Sequence, residues 1–225
     1  DIAKKIAHEI KNPLTPIQLS ADRLKIKYLK SIKGDKEIFI NCIDTIIRQV
    51  TTIHRMVNDF STFTQMPRPI FEVINMNKII KGSVSMTKLA NKNFTITSNL
   101  SKAKTIRLNA DPNLINQALN NLIKNSINAI NEKKMDKKTY KGKINIELLT
   151  KNNFCLLIVK DNGTGLPEDK EHLTEPYISR STKGSGLGLA VVKKIMEDHK
   201  GYLELENNSI SEGANVSLLF PLDNN

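Results

Sequence analysis

The sequence predicts an α+β protein in which an N-terminal helical hairpin forms a dimeric four-helix bundle and is followed by a two-layer α/β sandwich. Two observations lead to this prediction. The first part of the chain contains two long runs of apolar residues with heptad spacing, and the second part alternates short strand-like and helical segments. Because a chain of 225 residues exceeds the usual size of one compact domain, we expect two domains, over residues 1–66 and 67–225.

The hairpin is predicted by two runs in which apolar residues recur at spacings of four and three. The first run comprises Ile10, Leu14, Ile17, Ala21, Leu24 and Tyr28, and the second comprises Phe39, Ile43, Ile46, Val50, Ile53, Val57 and Phe60. Gly34 and Asp35 lie between the runs, where they predict the end of one helix and the cap of the next. Two helices alone cannot bury both stripes, so we expect a homodimer whose two hairpins complete the bundle.

The sandwich is predicted to follow residues 64–69, "TQMPRP", whose two prolines indicate a linker. Seven strands are expected, at Ile70–Ile74, Phe94–Asn99, Thr105–Asn109, Lys143–Leu149, Phe154–Lys160, Tyr202–Glu206 and Asn215–Phe220. Three helices are expected, at Met76–Ala90, Pro112–Asn131 and Leu187–Lys200. Strands mixed with helices and separated by hairpin-length gaps favour a two-layer sandwich over a wound parallel sheet.

The composition limits the possible partners. The formal charge of +11 comes from scattered lysines, and the chain has no tryptophan and few other aromatic residues to stack on bases, so we expect no nucleic-acid partner. An acidic protein or a polyphosphate ligand would suit the charge equally well. Cys42 and Cys155 lack metal-ligand spacing and fall in different predicted domains, which argues against a disulfide or a zinc site.

The chain contains no apolar run of membrane-spanning length and no recognisable signal peptide. It begins without methionine and already in helical periodicity. We therefore expect it to be a piece of a longer protein.

His8 is the first candidate for chemistry. In the heptad frame His8, Glu9 and Asn12 all point away from the apolar seam. An imidazole with a pKa of about 6.5 is largely neutral in the cytosol, so one ring nitrogen can act as a nucleophile if a carboxylate such as Glu9 holds the other N–H. Pro13 crowds the carbonyl of Glu9 and predicts a loosened turn beside the histidine. Ordinary solvated positions are expected for two other helical histidines, His54 and His199.

A nucleotide site is predicted in the second domain. Asn121 and Asn125 lie one helical turn apart on one face. Asp161 ends a predicted strand before Gly163 and Gly165, where it could accept a hydrogen bond from an exocyclic amine such as that of adenine.

A second glycine cluster, Gly184, Gly186 and Gly188, opens a helix whose free N–H groups suit phosphate. Residues 166–183 between the clusters are polar and charged and indicate a lid, in which Arg180 and Lys183 could meet a polyphosphate. No strand leads directly into the second cluster and no GxxxxGK[ST] motif is present, which excludes dinucleotide and Walker-type sites.

Together these segments resemble the motifs of bacterial sensor histidine kinases, in the order typical of that family and over essentially the whole chain. "HEIKNP" resembles the phospho-acceptor box, "NLIKN" the asparagine box, "DNGTG" and "GSGLGL" the two glycine boxes, "EPYIS" a form of the aromatic box, and "EGANVSLLFP" the terminal strand. The stretches "IAHEIKNPLTPIQLSADRL" and "DFSTFTQMPRP" are most similar to the NtrY-like branch, nitrogen-regulation sensors that are normally membrane-anchored.

The resemblance implies a dimerisation and histidine-phosphotransfer hairpin followed by an ATP-binding domain of the gyrase, Hsp90, histidine kinase and MutL type. It makes His8 the phosphorylated residue, Glu9 its acid/base partner, Asn125 the Mg²⁺ ligand and Asp161 the residue that binds adenine. Asn12 lies where family members that dephosphorylate their partners have threonine or asparagine. The other expected nucleotide-binding positions are Asn121, Gly163, Gly165, Tyr177, Arg180, Lys183, Gly184, Gly186, Leu187 and Gly188.

The resemblance also implies ATP and Mg²⁺ as cofactors, with phosphoryl transfer from His8 to an aspartate of a response-regulator receiver domain of the NtrX type. Phosphatase activity toward that regulator is expected as well, and the chain would be the cytoplasmic fragment of a sensor anchored in the inner membrane through a missing N-terminal region. Two positions depart from the family pattern, since Ser126 replaces the usual alanine and Tyr177 replaces a frequent phenylalanine.

Two alternatives share the nucleotide-binding fold. In gyrase-type ATPases an acidic residue one turn before the magnesium asparagine activates water, but here that residue is Asn121, which cannot accept a proton at neutral pH. A non-catalytic ATP-binding scaffold would tolerate the loss of a chemical group, and none is missing from the sequence. Phosphoryl transfer to histidine is therefore favoured.

Overall fold

The computed structural model describes residues 2–32, 34–90, 94–100, 105–136, 140–178, 185–208 and 212–222. The chain divides into two compact units, Asp1–Pro67 and Arg68–Asn225. Within the described ranges, no helix combines the length and the apolar character that crossing a membrane requires.

The first unit is a helical hairpin of α1 (Ile2–Tyr28) and α2 (Lys36–Thr64). The α1 helix continues through Pro13 and Pro16. An ion pair of 2.5 Å between Lys25 and Asp44 joins the two helices. Asp35 precedes α2, but its backbone is left-handed, with φ of 51°, and its side chain makes no capping hydrogen bond. The prediction that Asp35 caps α2 is therefore wrong.

The heptad seam of the hairpin is only half buried within one chain. The buried half consists of Ala7, Leu14 and Ala21 of α1 and Ile43, Val50 and Val57 of α2. The alternate positions are Ile10, Ile17, Leu24, Ile46 and Ile53, and they are between 39% and 46% exposed. One apolar stripe is thus packed between the helices, and a second stripe is left on the surface of the hairpin.

The second unit contains the strands and helices that its sequence predicts, with shifted ends. Its strands are β1 (Glu72–Asn75), β2 (Phe94–Leu100), β3 (Arg107–Ala110), β4 (Gly142–Lys151), β5 (Phe154–Asp161), β6 (Tyr202–Asn207) and β7 (Ala214–Pro221). Its α-helices are α3 (Met76–Ala90), α4 (Pro112–Asp136) and α5 (Gly188–Asp198). A short 3₁₀ helix at Glu171–Thr174, which was not predicted, lies in the expected lid segment.

Five strands form a mixed sheet in the order β2-β4-β5-β7-β6, and β1 pairs with β3 in a separate antiparallel ribbon. Only the β2–β4 pair of the sheet is parallel. Alternate residues of the central strands are buried under α4 and α5, among them Ile146, Leu157 and Leu218 with 0% exposure. This alternation places one face of the sheet against helices, so the predicted helical hairpin and two-layer α/β sandwich are confirmed.

Candidate functional site

The three residues expected to act on the hairpin lie together on the surface of α1. His8, Glu9 and Asn12 are all exposed, while Ala7 and Leu14 on the opposite side are buried. His8 and Asn12 are one helical turn apart, so they share a face. A partner that docks on this face can reach both side chains.

Asp161 is a buried carboxylate of the second unit whose two oxygens both accept hydrogen bonds. It ends β5 with only 5% exposure. Its Oδ1 accepts hydrogen bonds from the backbone N–H of Gly163 at 2.9 Å and of Ala214 at 3.2 Å, and its Oδ2 accepts one from the Ser126 hydroxyl at 2.9 Å. A carboxylate has about four acceptor positions. Asp161 therefore retains capacity on Oδ2 for one further donor, such as an exocyclic amine.

The departure at Ser126 has a structural role that the sequence did not reveal. Ser126 is 4% exposed on α4, and its hydroxyl contacts the carboxylate that is expected to bind adenine. An alanine at this position would leave Oδ2 of Asp161 without a donor from the helix.

The glycines after β5 are required by close packing. A Cβ on Gly163 would lie 2.6 Å from the Cβ of Ala129, so this turn packs directly against α4. Gly165 has a positive φ of 75° and lies against Asn207, whose side chain exchanges hydrogen bonds with the backbone of Leu166. The start of the lid segment is thus fixed to the end of β6.

Asn125 faces the start of α5. A Cβ on Gly188 would lie 3.5 Å from Oδ1 of Asn125, so the absence of a side chain keeps the space before this amide open. Asn121, one turn earlier on α4, is half-buried. The free N–H groups at the α5 N-terminus and an amide oxygen therefore border the same space, as a phosphate with a bound cation would need.

Tyr177 of the lid segment lies against Gly186, just before α5. Tyr177 is exposed and has a positive φ of 68°. A Cβ on Gly186 would lie 2.5 Å from the carbonyl carbon of Tyr177, and Gly186 itself has φ of 73°. Leu187 is 1% exposed, so its side chain packs in the core just before α5. Three further predicted residues, Arg180, Lys183 and Gly184, lie outside the described residues.

A buried junction at the start of α4 was missed by the sequence analysis. Asp111 caps α4 by accepting hydrogen bonds from the N–H of Asn113 and Leu114, and its other oxygen accepts the N–H of Ile70 at 2.9 Å. Burial alone would raise the pKa of Asp111, but these N–H donors, together with His199, lower it overall.

His199 is 6% exposed, its Nε2 accepts the Asp111 N–H at 3.1 Å, and its Nδ1 bonds the Ile195 carbonyl. The prediction that His199 is solvated is wrong, because α5 ends against the β3–α4 junction.

Metal binding by a dedicated cluster has no support in the parts of the chain that the structure describes. No group of three or more His, Cys, Asp or Glu side chains there could hold an ion. Mg²⁺ commonly binds through one or two protein oxygens plus phosphates and water. The single Asn125 amide beside Gly188 fits a Mg²⁺ site that phosphates and water complete. It does not fit a site in which protein groups supply every ligand.

The family of this chain follows from its sequence matches. Residues 110–224 match the family described as histidine kinase-, DNA gyrase B-, and HSP90-like ATPase, and residues 1–69 match the His Kinase A (phospho-acceptor) domain. The chain belongs to the histidine kinases, with a phospho-acceptor domain followed by an ATPase-type domain. The family expected from the motifs is confirmed.

Two curated relatives indicate which branch of the histidine kinases this chain is most similar to. The nitrogen regulation protein NtrY of Azorhizobium caulinodans is 43% identical over 97% of this chain and 28% of its own length. A putative sensor histidine kinase NtrY-like of Rickettsia felis is 38% identical over 99% of this chain and 36% of its own length. The chain therefore spans 28% to 36% of the length of these curated relatives.

Solved structures agree with the fold. The catalytic domain of the histidine kinase ThkA is 28% identical, with a TM-score of 0.58, and the match covers 68% of this chain and 95% of that one. ThkA in complex with the response regulator protein TrrA is 24% identical, with a TM-score of 0.67, over 99% of this chain and 61% of that one. The second match supports the fold alone.

Proposed function

We propose that this chain is the catalytic core of a sensor histidine kinase that transfers the γ-phosphoryl group of ATP to His8 and then to an aspartate of a response regulator. The observation that carries the proposal is the combination of exposed His8 and Glu9 on one unit with a second unit in which Asp161 is buried and half-buried Asn125 lies beside Gly188 at the start of α5.

Each residue has a defined task in this reaction. Asp161 accepts a hydrogen bond from the adenine amine, and the N-terminus of α5 binds phosphate beside Asn125. Asn125 would hold a Mg²⁺ ion there, and the ion would neutralise part of the negative charge of the phosphates. One nitrogen of His8 forms the bond to the γ-phosphorus while the bond to the bridging oxygen breaks and ADP leaves. Glu9 accepts the N–H of the other ring nitrogen and stabilises its positive charge.

The test is incubation of the chain with γ-labelled ATP and Mg²⁺. We expect an acid-labile, base-stable label, as phosphohistidine gives. His8→Gln should abolish labelling but leave ADP binding intact, because His8 and Asp161 lie in separate units. His54→Gln, a half-buried histidine of α2, is the matched control and should label normally. Acid-labile label on the His8→Gln variant would overturn the assignment.

The same assay separates phosphotransfer from the ATPase alternative. Asn121 occupies the place where an ATPase would need a base, so we expect phosphoprotein to form without fast release of free phosphate. Asn125→Ala and Asp161→Ala should lose nucleotide binding or its dependence on Mg²⁺. Steady phosphate release with no labelled protein would favour the ATPase.

We further propose that two chains form the phospho-acceptor bundle, supported by the exposed half of the heptad seam. Ile17 on this stripe is 46% exposed and Ile26, off the stripe, is 78% exposed. In light scattering the wild type is expected to be a dimer, Ile17→Glu a monomer or a weakened dimer, and Ile26→Glu a dimer. A monomeric wild type at micromolar concentration would contradict the bundle.

Phosphatase activity is proposed for Asn12, which shares an exposed face with His8. Its amide can donate and accept hydrogen bonds, so it can orient a water for attack on an aspartyl phosphate docked at this face. Asn12→Ala should slow dephosphorylation of the cognate regulator severalfold while labelling of His8 falls much less. Equal losses of both activities would indicate a distorted helix instead.

The partner and location are proposed from the NtrY-like relatives. We expect a receiver domain of the NtrX type to accept phosphate from His8 faster than unrelated receiver domains, and the whole protein to be anchored in the inner membrane. Time courses of phosphotransfer from the labelled chain to several purified receivers test the first point. Equal rates for all of them would contradict it.

A further inference from the structure

Lys133, near the C-terminal end of α4, has an ammonium group surrounded by backbone carbonyls. Its Nζ donates hydrogen bonds to the carbonyl oxygens of Asn162 at 3.1 Å, Gly163 at 3.0 Å and Glu212 at 3.1 Å. Its side chain is 13% exposed. The ring of Tyr140 lies 5.3 Å from the ammonium, and the Tyr140 hydroxyl also donates to the Asn162 carbonyl.

The segments that Lys133 joins are the ones that orient Asp161. Asp161 Oδ1 accepts the N–H of Gly163 from the turn after β5 and the N–H of Ala214 from the start of β7. Lys133 binds the carbonyl of Gly163 in the first segment and that of Glu212 in the second. The same ammonium therefore holds together the two backbone donors of the carboxylate.

The two segments also approach each other so closely that a side chain at Gly213 would overlap the Asp161 carbonyl. A small separation of the turns would consequently move both donors away from Oδ1. The ion pair of Lys133 with the Glu212 carboxylate, at 3.3 Å, adds little, because that carboxylate is 84% exposed. The backbone carbonyls are the important contacts, since those of Asn162 and Gly163 accept the ammonium in a partly buried position.

We propose that Lys133 is a positioning residue for recognition of the nucleotide base: it clamps the turn after β5 to the start of β7 and thereby aims the Asp161 carboxylate at the 6-amino group. The inference rests on the proposed nucleotide site. Lys133 itself touches no reacting atom. Without its ammonium, both turns loosen and the carboxylate loses its fixed direction, so the discrimination between a 6-amino and a 6-oxo purine falls.

The test compares the affinities of ADP and IDP for the full chain by calorimetry. IDP replaces the amine by an oxygen, which an acceptor-only carboxylate repels. The wild type should prefer ADP. Lys133→Met should weaken ADP binding about tenfold and IDP binding much less. The ratio of the ADP affinity to the IDP affinity should therefore fall. The matched control Lys134→Met, an exposed lysine on the same helix, should leave both affinities unchanged.

A melting curve without nucleotide separates positioning from simple stabilisation. If Lys133→Met lowers the melting temperature but keeps the wild-type ADP/IDP ratio, the inference is overturned. Lys133→Arg retains the charge but cannot place one nitrogen against all three carbonyls, so it should give an intermediate ratio; a wild-type ratio in this folded variant would also count against the clamp. A wild-type chain that fails to prefer ADP overturns the proposed nucleotide site itself, and this inference with it.

Discussion

Asp111→Ala is expected to destabilise the second unit, because this one buried carboxylate holds three backbone N–H groups. Two of them, at Asn113 and Leu114, belong to the first turn of α4, and the third, at Ile70, belongs to the segment before β1. Loss of a helix cap costs about 1 kcal/mol. Loss of a hydrogen bond from Ile70 to a buried charged acceptor costs about 1.5–3 kcal/mol. We therefore expect the free energy of unfolding to fall by about 2.5–4 kcal/mol at pH 7.

Asp111→Asn separates the stability that comes from the α4 cap from the stability that comes from the Ile70 hydrogen bond. Its remaining oxygen can still cap α4, whereas its NH₂ group would face the Ile70 N–H, so we expect the loss to be about half as large. Urea denaturation followed by circular dichroism measures both variants. Glu168→Ala, which removes an exposed carboxylate of the same unit, is the control and should change the stability by less than about 0.5 kcal/mol.

The pH dependence gives an independent check. Burial would raise the pKa of Asp111, but the N–H donors outweigh it and hold the pKa below the ordinary value. A carboxylate with a lowered pKa contributes its full stabilisation above its unfolded pKa of about 4 and loses it as the pH falls through the lowered value. The difference in the free energy of unfolding between the wild type and Asp111→Ala should stay constant from about pH 7 to 5 and shrink below about pH 4. A loss under about 0.5 kcal/mol at pH 7, or a gap that persists in acid, would refute the reasoning.

Three further outcomes are expected. Burial raises the pKa of Cys155 to about 12, so only exposed Cys42 should react with a disulfide reagent at pH 8 in the folded chain, and both thiols after denaturation; reaction of both in the folded chain would be inconsistent with the buried thiol. Gly186→Ala places a Cβ 2.5 Å from the Tyr177 carbonyl carbon at a positive φ, so melting curves should show a less stable unit, and an unchanged curve would count against that geometry. Leu157→Ala removes a fully buried side chain of β5 and should lower the free energy of unfolding by about 2–5 kcal/mol in urea denaturation. A loss below about 1 kcal/mol would mean that neighbouring residues fill the vacated space completely.

The parts of the fold that were predicted are those that a local pattern determines. Heptad spacing and residue alternation depend on neighbours within a few positions, which is why α3 was predicted with the bounds it has, Met76–Ala90. The lid shows the limit of this approach, because the 3₁₀ helix Glu171–Thr174 has neither periodicity nor apolar residues on one face. Asp35 shows another limit, since residue type predicted a cap but the left-handed backbone removed it.

The candidate site was predicted through its motifs, and its supporting contacts were not. Asp161 was identified because it ends a predicted strand before two glycines, and Asn125 because it lies one helical turn after Asn121 on the same face. The contacts of Ser126 and Lys133 with that site join residues 29 to 79 positions apart, and no sequence periodicity connects them. Gly163 was expected to approach a ligand, but its lack of a side chain is required by Ala129 of α4.

The sequence by itself determined the helical hairpin and the α/β sandwich, the order of their helices and strands and the histidine kinase family, and it predicted the polar residues of the candidate site. Each of these depends on residue type and spacing along the chain. The tertiary structure alone decided what surrounds those residues. It buried His199 against Asp111 and placed the Lys133 ammonium between two turns that are distant in sequence. The physical reason is that burial and hydrogen-bond partners depend on how α4, α5 and the sheet pack, and packing depends on contacts between residues far apart in the chain.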